Sequence, residues 1–250
     1  MKIIKYTKLS SGKYKLQLED NNSLILYEDV ILNNNLLLTK EIDDLNKIKK
    51  DNDEYEIYEL AKKYINRKYV SKKELYKYLM NKKYENELIN KVIKDLEEKN
   101  ILNEENYVKA YINDKINFTN DGPNKIKKDL LNNGIDEEII DNNMEIDFNI
   151  VYGKLDKLID KKILFIKNYS GNVLKQKLIM YFINLGYDRR MIEEILLNKN
   201  LINNDDGIKE YNKLYNKYKN KYNSFELENI LRQKLYLKGF SYDEIKKSMD

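Results

Sequence analysis

The chain has 250 residues, of which 46 are Lys or Arg and 42 are Asp or Glu, so its net charge of +4 is a small difference between large numbers. Such a mixed surface does not by itself predict nucleic-acid binding. With neither Cys nor His, disulfides, thiol nucleophiles, Cys/His zinc sites and imidazole acid–base chemistry are excluded.

No apolar run approaches the roughly 20 residues of a membrane span, and the N-terminus carries no signal pattern. A soluble, cytoplasmic protein without a membrane partner is therefore expected. Lys, Asn, Ile and Tyr are abundant, and all have A/T-rich codons. Their numbers carry little functional weight; only their placement does.

Residues 1–38 open with three short runs rich in β-branched and aromatic residues, Ile3–Leu9, Tyr14–Glu19 and Ser23–Tyr27. Ser10-Ser11-Gly12 and Asp20-Asn21-Asn22 separate them as turns, which predicts an antiparallel meander. It is too small to stand alone and should pack on helices. Glu28–Leu38 reads as a short helix or a strand, with helix the preferred reading. Thr39 then caps a predicted helix to about Lys49, with Ile42, Leu45 and Ile48 on one side, and Lys50–Asp53 reads as a polar joint.

From there the chain repeats itself. Ile57, Leu60, Ala61, Tyr64 and Ile65 follow the stripe of a core-facing helix. Ser71 and Glu74 form a capping box for a helix from Lys72, and Leu88, Ile89, Val92, Ile93 and Leu96 mark a third helix that Asn100 stops. Asn103 caps the next segment, with Tyr107, Tyr111 and Ile112 as core. Pro123 suits a first helical turn, Gly134 a helix end and Asp136 a cap. Ile150–Ile166 reads as a helix, Ser170 or Asn172 starts another, and Asp188 caps a third. Residues 203–207 (NNDDG) read as a loop. Beyond it lie a tyrosine stripe (Tyr211, Tyr215, Tyr218, with Ile208) and a second capping box at Ser241 and Glu244.

One frame underlies these segments: apolar, apolar, turn, bulky residue, Ile. It fits Leu75, Leu79, Lys83, Tyr84 and Ile89. It returns at Ile126, Leu130, Gly134, Ile135 and Ile140, at Leu178, Phe182, Gly186, Tyr187 and Ile192, and at Leu231, Leu235, Gly239, Phe240 and Ile245. The turn position recurs after 51, 52 and 53 residues (83 to 134, 186 and 239). Repeats of this period stack as supersecondary units. The expected fold is mainly α: tandem three-helix, helix-turn-helix-like repeats in an elongated curved array, behind a small N-terminal β meander. Residues 1–52 form the N-terminal segment with its linking helix, and the repeats occupy 53–102, 103–146, 147–202 and 203–250.

Chemistry of catalysis finds no support. The acidic pairs Asp43-Asp44, Glu97-Glu98 and Glu137-Glu138 fall on or beside helices, where sequence neighbours point to different sides and acidic first turns favour the dipole. No glycine loop cradles phosphate. No enzyme, metal or cofactor is expected. Lysine and tyrosine interleave at Lys62–Tyr69 and Lys213–Tyr222, which suits bases stacked on rings; a core-facing tyrosine stripe is the preferred reading, with the lysine faces left as a docking surface for something anionic. As DNA readers the units are poorly charged. Their third helices open with Glu85-Asn86-Glu87, Asp136-Glu137-Glu138 and Tyr242-Asp243-Glu244, and carboxylates there would face phosphates. Only Arg189-Arg190 is suitable.

The segment Leu60–Ile140 resembles the RecX family, regulators of the RecA recombinase. The likeness rests on Ala61, Tyr64, Ile65, Arg67, Ser71, Glu74 and Leu75 (A-x-x-Y-[LI]-x-R…S-x-x-E-L), on Ile101–Tyr107, on the G-P-x-x-I-x-x-x-L run from Gly122 to Leu130, and on Gly134–Asp136. The N-terminal strands and extra repeat resemble longer members from low-G+C Gram-positive bacteria. Two departures stand out: Asn117–Asp121 replaces a basic run, and Lys83 replaces a glycine. The resemblance implies a monomer that binds the RecA nucleoprotein filament and modulates, usually inhibits, recombination and SOS-related activity, without a cofactor. Single- or double-stranded DNA is a secondary ligand; direct action on DNA as a helical-repeat nucleic-acid-binding regulator is the alternative. Basic side chains should dominate such encounters. The candidates are Lys62, Arg67, Lys68, Lys72 and Lys73 in the first repeat, Lys125, Lys127 and Lys128 in the second, and Arg189 and Arg190 in the third.

Overall fold

The computed structural model describes residues 1–202 and 204–247, apart from the side chain of Asn204. Among the described residues are three strands and fourteen helices. They fall into two compact units, residues 1–110 with 131–143 and residues 111–130 with 144 onward.

In the first unit β1 (Ile3–Lys8), β2 (Lys13–Leu18) and β3 (Ser23–Tyr27) form an antiparallel meander in that order. Tyr6, Leu16 and Leu24 lie side by side across it. Ser11, Gly12 and Asn21 turn the chain at positive φ, as the turn-rich spacers predict. Leu16, Leu18 and Leu26 share a core with Ile31, Leu36, Ile42 and Ile48. These come from α1 (Glu28–Asn33), α2 (Leu36–Thr39), the following loop and α3 (Leu45–Ile65).

Two expectations fail here. Thr39 ends α2 rather than capping a helix; the cap is Asp44, whose carboxylate accepts from the Asn46 and Lys47 N–H groups. Nor is Lys50–Asp53 a joint, because α3 runs through it unbroken. Lacking Gly and Pro, those residues cost a helix only tenths of a kcal/mol each, about the ordinary spread of propensities. Their polarity serves the sheet and the end of α1 instead. Asn52 Oδ1 accepts from the Tyr27 N–H at 3.0 Å, and Asp51 Oδ2 from Asn34 Nδ2 at 3.2 Å.

The rest of α3 packs with α4 (Lys72–Met80) and α5 (Asn86–Glu98) around Ile57, Ala61, Leu75, Leu79, Ile89, Val92 and Leu96. Ser71 caps α4 by accepting from the Glu74 N–H at 3.2 Å, and Asn100, at φ 56°, stops the chain after α5. Next come α6 (Glu104–Phe118), which Asn103 caps through the Asn106 N–H at 2.8 Å, α7 (Pro123–Asn132) and α8 (Glu137–Asn143). Helices α6 and α7 each contribute residues to both units.

In the second unit α9 (Phe148–Phe165), α10 (Gly171–Asn184) and α11 (Arg189–Leu197) enclose Leu155, Ile159, Leu178, Phe182, Tyr187 and Ile192. A separate cluster of Leu214, Leu227, Leu231, Leu235, Phe240 and Ile245 belongs to α12 (Asn204–Tyr218), α13 (Ser224–Tyr236), α14 (Tyr242–Lys247) and the turn before α14. The NNDDG loop is a further correction. Asn203 lies outside the described residues, but 204–207 open α12, with Asp205 and Asp206 in its first turn. Acidic residues suit a helix start as well as a loop. Gly207 is packed there, since a Cβ on it would lie 3.0–3.1 Å from side-chain atoms of Ile245 and Phe240. The tyrosine stripe is also half right. Tyr211 and Tyr218 pack on the core, but Tyr215 turns outward and Leu214 is the buried member.

The turn position of the frame has one conformation in all four copies: φ is 66° at Lys83, 82° at Gly134, 89° at Gly186 and 83° at Gly239. Each glycine rests on the opening turn of the second helix of the preceding repeat. Gly134 lies against the Lys73 side chain, Gly186 against Gly122 and Lys125, and Gly239 against Ser170 and Val173. Hydrogen bonds close each junction: Lys73 Nζ donates to Asn132 O (2.8 Å), the Gly122 N–H to Leu185 O (2.6 Å), and the Ser170 N–H to Lys238 O (2.9 Å). A left-handed helix stop leaves unpaired carbonyls, and the neighbouring repeat answers them. Lys83 belongs to the first copy, which has no upstream repeat to meet.

Candidate partner-binding site

Of the ten basic residues singled out in sequence, most are tied within their own unit. Lys62 reaches Glu59 at 3.1 Å and lies over the Tyr58 ring. Lys68 binds Glu74 at 2.5 Å over the Tyr64 ring, and that ring stacks on Tyr78. Lys72 pairs with Glu97 at 2.9 Å and Arg189 with Glu193 at 2.8 Å. Exposed pairs of this kind contribute about 0–1 kcal/mol, so they hold the cations loosely. Lys73 closes the first glycine junction, a structural task that nothing in its sequence context announced. Arg67, Lys128 and Arg190 are exposed and make no side-chain ion pair or hydrogen bond among the described residues. Lys127 is engaged within the fold.

Lys125 belongs to a charge cluster that sequence reasoning missed. Asp121 is only 8% exposed; it accepts from Lys125 Nζ at 2.5 Å and from Lys115 Nζ at 3.1 Å. Burial raises its pKa, but the two ammonium groups outweigh that and hold the carboxyl below the usual range. Burial near the same carboxylate lowers the pKa of Lys154, which donates to Ile116 O at 2.7 Å. The Tyr187 hydroxyl, buried against this cluster, is pushed up to about 12 by burial and then by Asp121. The acidic end of Asn117–Asp121 thus organises the start of α7. The only sequence signal was its position just ahead of Gly122-Pro123.

Arg67 stands in a groove of about 410 Å³ between the α3–α4 turn and the α5–α6 turn. Val70 and Leu102, 3% and 4% exposed, form its apolar base, and Tyr69, 64% exposed, stands at its rim. The side chains of Asn66 and Asn106 also line it. The loop residues that make this groove were legible only as helix ends. Among the described residues no group of three or more carboxylates is placed to hold a metal ion, and no helix is long and apolar enough to cross a membrane.

Three-helix units joined at left-handed turns, together with a small N-terminal sheet, define a helical-repeat protein. The family model of the second three-helix domain of RecX matches residues 103–142. A regulatory protein RecX of Bacillus cytotoxicus is 31% identical over 193 residues, 75% of this chain and 72% of that one. Another from Bacillus cereus is 30% identical over 230 residues, 87% and 83% of the two chains. One from Streptococcus agalactiae is 28% identical and aligns over 98% of both. The chain belongs to the RecX family. A crystal structure of a regulatory protein RecX superposes with a TM-score of 0.68 at 20% identity, covering 78% of this chain and 98% of that one, which shows the shared fold.

Proposed function

We propose that this chain binds the RecA nucleoprotein filament and restrains it, inhibiting strand exchange and SOS-related activity through protein contact. The supporting observation is the likeness to named regulatory proteins of one family over nearly the whole chain. The chain acts as a cytoplasmic monomer and needs no cofactor. Its ten basic candidates, foremost the unpaired Arg67, Lys128 and Arg190, meet the acidic and phosphate-bearing surface of the filament.

The test compares binding of the full chain to bare single-stranded DNA and to RecA-coated DNA at two salt concentrations, alongside RecA strand exchange. Preference for coated DNA with slowed exchange is expected. Equal binding to both, with a steep salt dependence, would favour direct action on DNA.

A further inference from the structure

Resting on the reading that this protein works through a protein partner, we infer that the groove beside Arg67 seats an acidic, extended peptide segment of that partner. Its lining separates it from the rest of the basic surface. Among the described residues the Arg67 guanidinium has no partner, whereas the other cation in the groove, Lys68, lies 2.5 Å from Glu74 in an exposed pair. Glu74 Oε1 also accepts from the Tyr64 hydroxyl at 3.0 Å. Asn103 is spent on capping α6 and on Asn100. Asn66 and Asn106, by contrast, are exposed and make no side-chain hydrogen bond among the described residues. Each keeps one amide donor pair and one carbonyl acceptor facing solvent.

This inventory fits a peptide better than a nucleic-acid strand. A phosphodiester strand carries a charge at every nucleotide and binds along several unpaired cations. Here the lining holds one unpaired cation, Arg67, and one paired cation, Lys68. A single carboxylate matches a single planar guanidinium in a two-pronged pair. The peptide's own N–H and C=O groups match the two asparagine amides. An apolar residue two positions from that carboxylate along an extended segment would share its face and meet the apolar lining of Tyr69, Ile101 and Leu102, because alternate residues share a face.

The test uses the full chain and three variants, Arg67→Gln, Arg67→Lys and Tyr69→Ala, all at exposed positions so that the circular-dichroism spectrum and melting temperature should not move. Binding is measured to RecA-coated oligo(dT) and to bare oligo(dT). For Arg67→Gln the affinity for coated DNA should fall about tenfold, the scale of a charge-assisted hydrogen-bond pair. Tyr69→Ala should lose several-fold and Arg67→Lys should recover only part of the loss, while binding to bare oligo(dT) stays unchanged for all three. Variants that bind coated DNA as well as the parent chain overturn the groove assignment and leave the proposed function standing. Equal losses on coated and bare DNA overturn it in favour of a nucleic-acid groove. A parent chain that does not distinguish coated from bare DNA refutes the proposed function, and the groove assignment falls with it.

Discussion

At the scale of single residues, the turn positions of the repeats carry the sharpest energetic contrast. A left-handed φ costs a residue with a Cβ about 1–2 kcal/mol. Lys83 bears that cost at φ 66°, on an exposed turn. Lys83→Gly should therefore stabilise the first unit by about 1 kcal/mol, read as a higher urea midpoint at unchanged slope. Gly186 has the same conformation, but a Cβ there would lie 2.3 Å from the Lys125 backbone nitrogen. Gly186→Ala combines strain with a clash against backbone that cannot yield, and should cost about 2–4 kcal/mol. A Gly186→Ala protein as stable as its parent would mean that the junction is not tight in solution.

At the scale of elements, α3 is the piece on which the first unit depends. Its N-terminal half takes the sheet through Asn52 and Glu56, the latter meeting Lys13 Nζ at 3.0 Å, and its C-terminal half belongs to the three-helix core. One continuous helix thereby couples two otherwise separate clusters. Asp44→Ala removes the cap that holds two N–H groups and should cost about 1 kcal/mol. Asn52→Ala should act more locally. Amide exchange should accelerate at Tyr27 and along β3 while α5 stays protected. Uniform acceleration across α5 would show that sheet and helices unfold as one.

At the scale of the molecule, titration and truncation are the informative perturbations. With no His and no Cys, no side chain at its ordinary pKa titrates between about pH 6 and 8, so the melting temperature should be flat there. Alkali is different. Burial, with help from Glu56, Asp121 and Glu228 respectively, pushes the hydroxyls of Tyr84, Tyr187 and Tyr242 up to about 12. An unfolded chain ionises its tyrosines near pH 10, so between about 10 and 12 the folded chain binds more protons and stability falls as pH rises. Calorimetric scans should show that fall. Asp121 has the opposite sense: its contribution is present above the unfolded carboxylate value and disappears as pH falls through its lower folded value. For truncation, the core of α12–α14 is separate from that of α9–α11. A chain ending at Ile202 should keep its cooperative transition, a few degrees lower because Ser170 and Val173 lose the Gly239 turn. Loss of folding in that chain would show that the repeats are not additive.

What the sequence determined by itself was whatever depends on local periodicity and chain ends. Apolar spacing located the helices, Ser71, Asn103, Asp136 and Asp188 located their starts, and the spacing of Lys83, Gly134, Gly186 and Gly239 revealed the repeat before any coordinate did. These signals act within one or two turns, so the order of residues holds them. It was silent where an ambiguous local preference is settled by a distant partner. Lys50–Asp53 and residues 204–207 are polar enough for a loop; they are helical because the sheet in one case and Ile245 and Phe240 in the other supply contacts. Likewise, the charge of Arg67 and Lys73 is identical in the sequence. Only tertiary structure gives Lys73 a carbonyl to hold and leaves Arg67 without a partner, because ion pairing depends on which side chains the fold brings within about 4 Å.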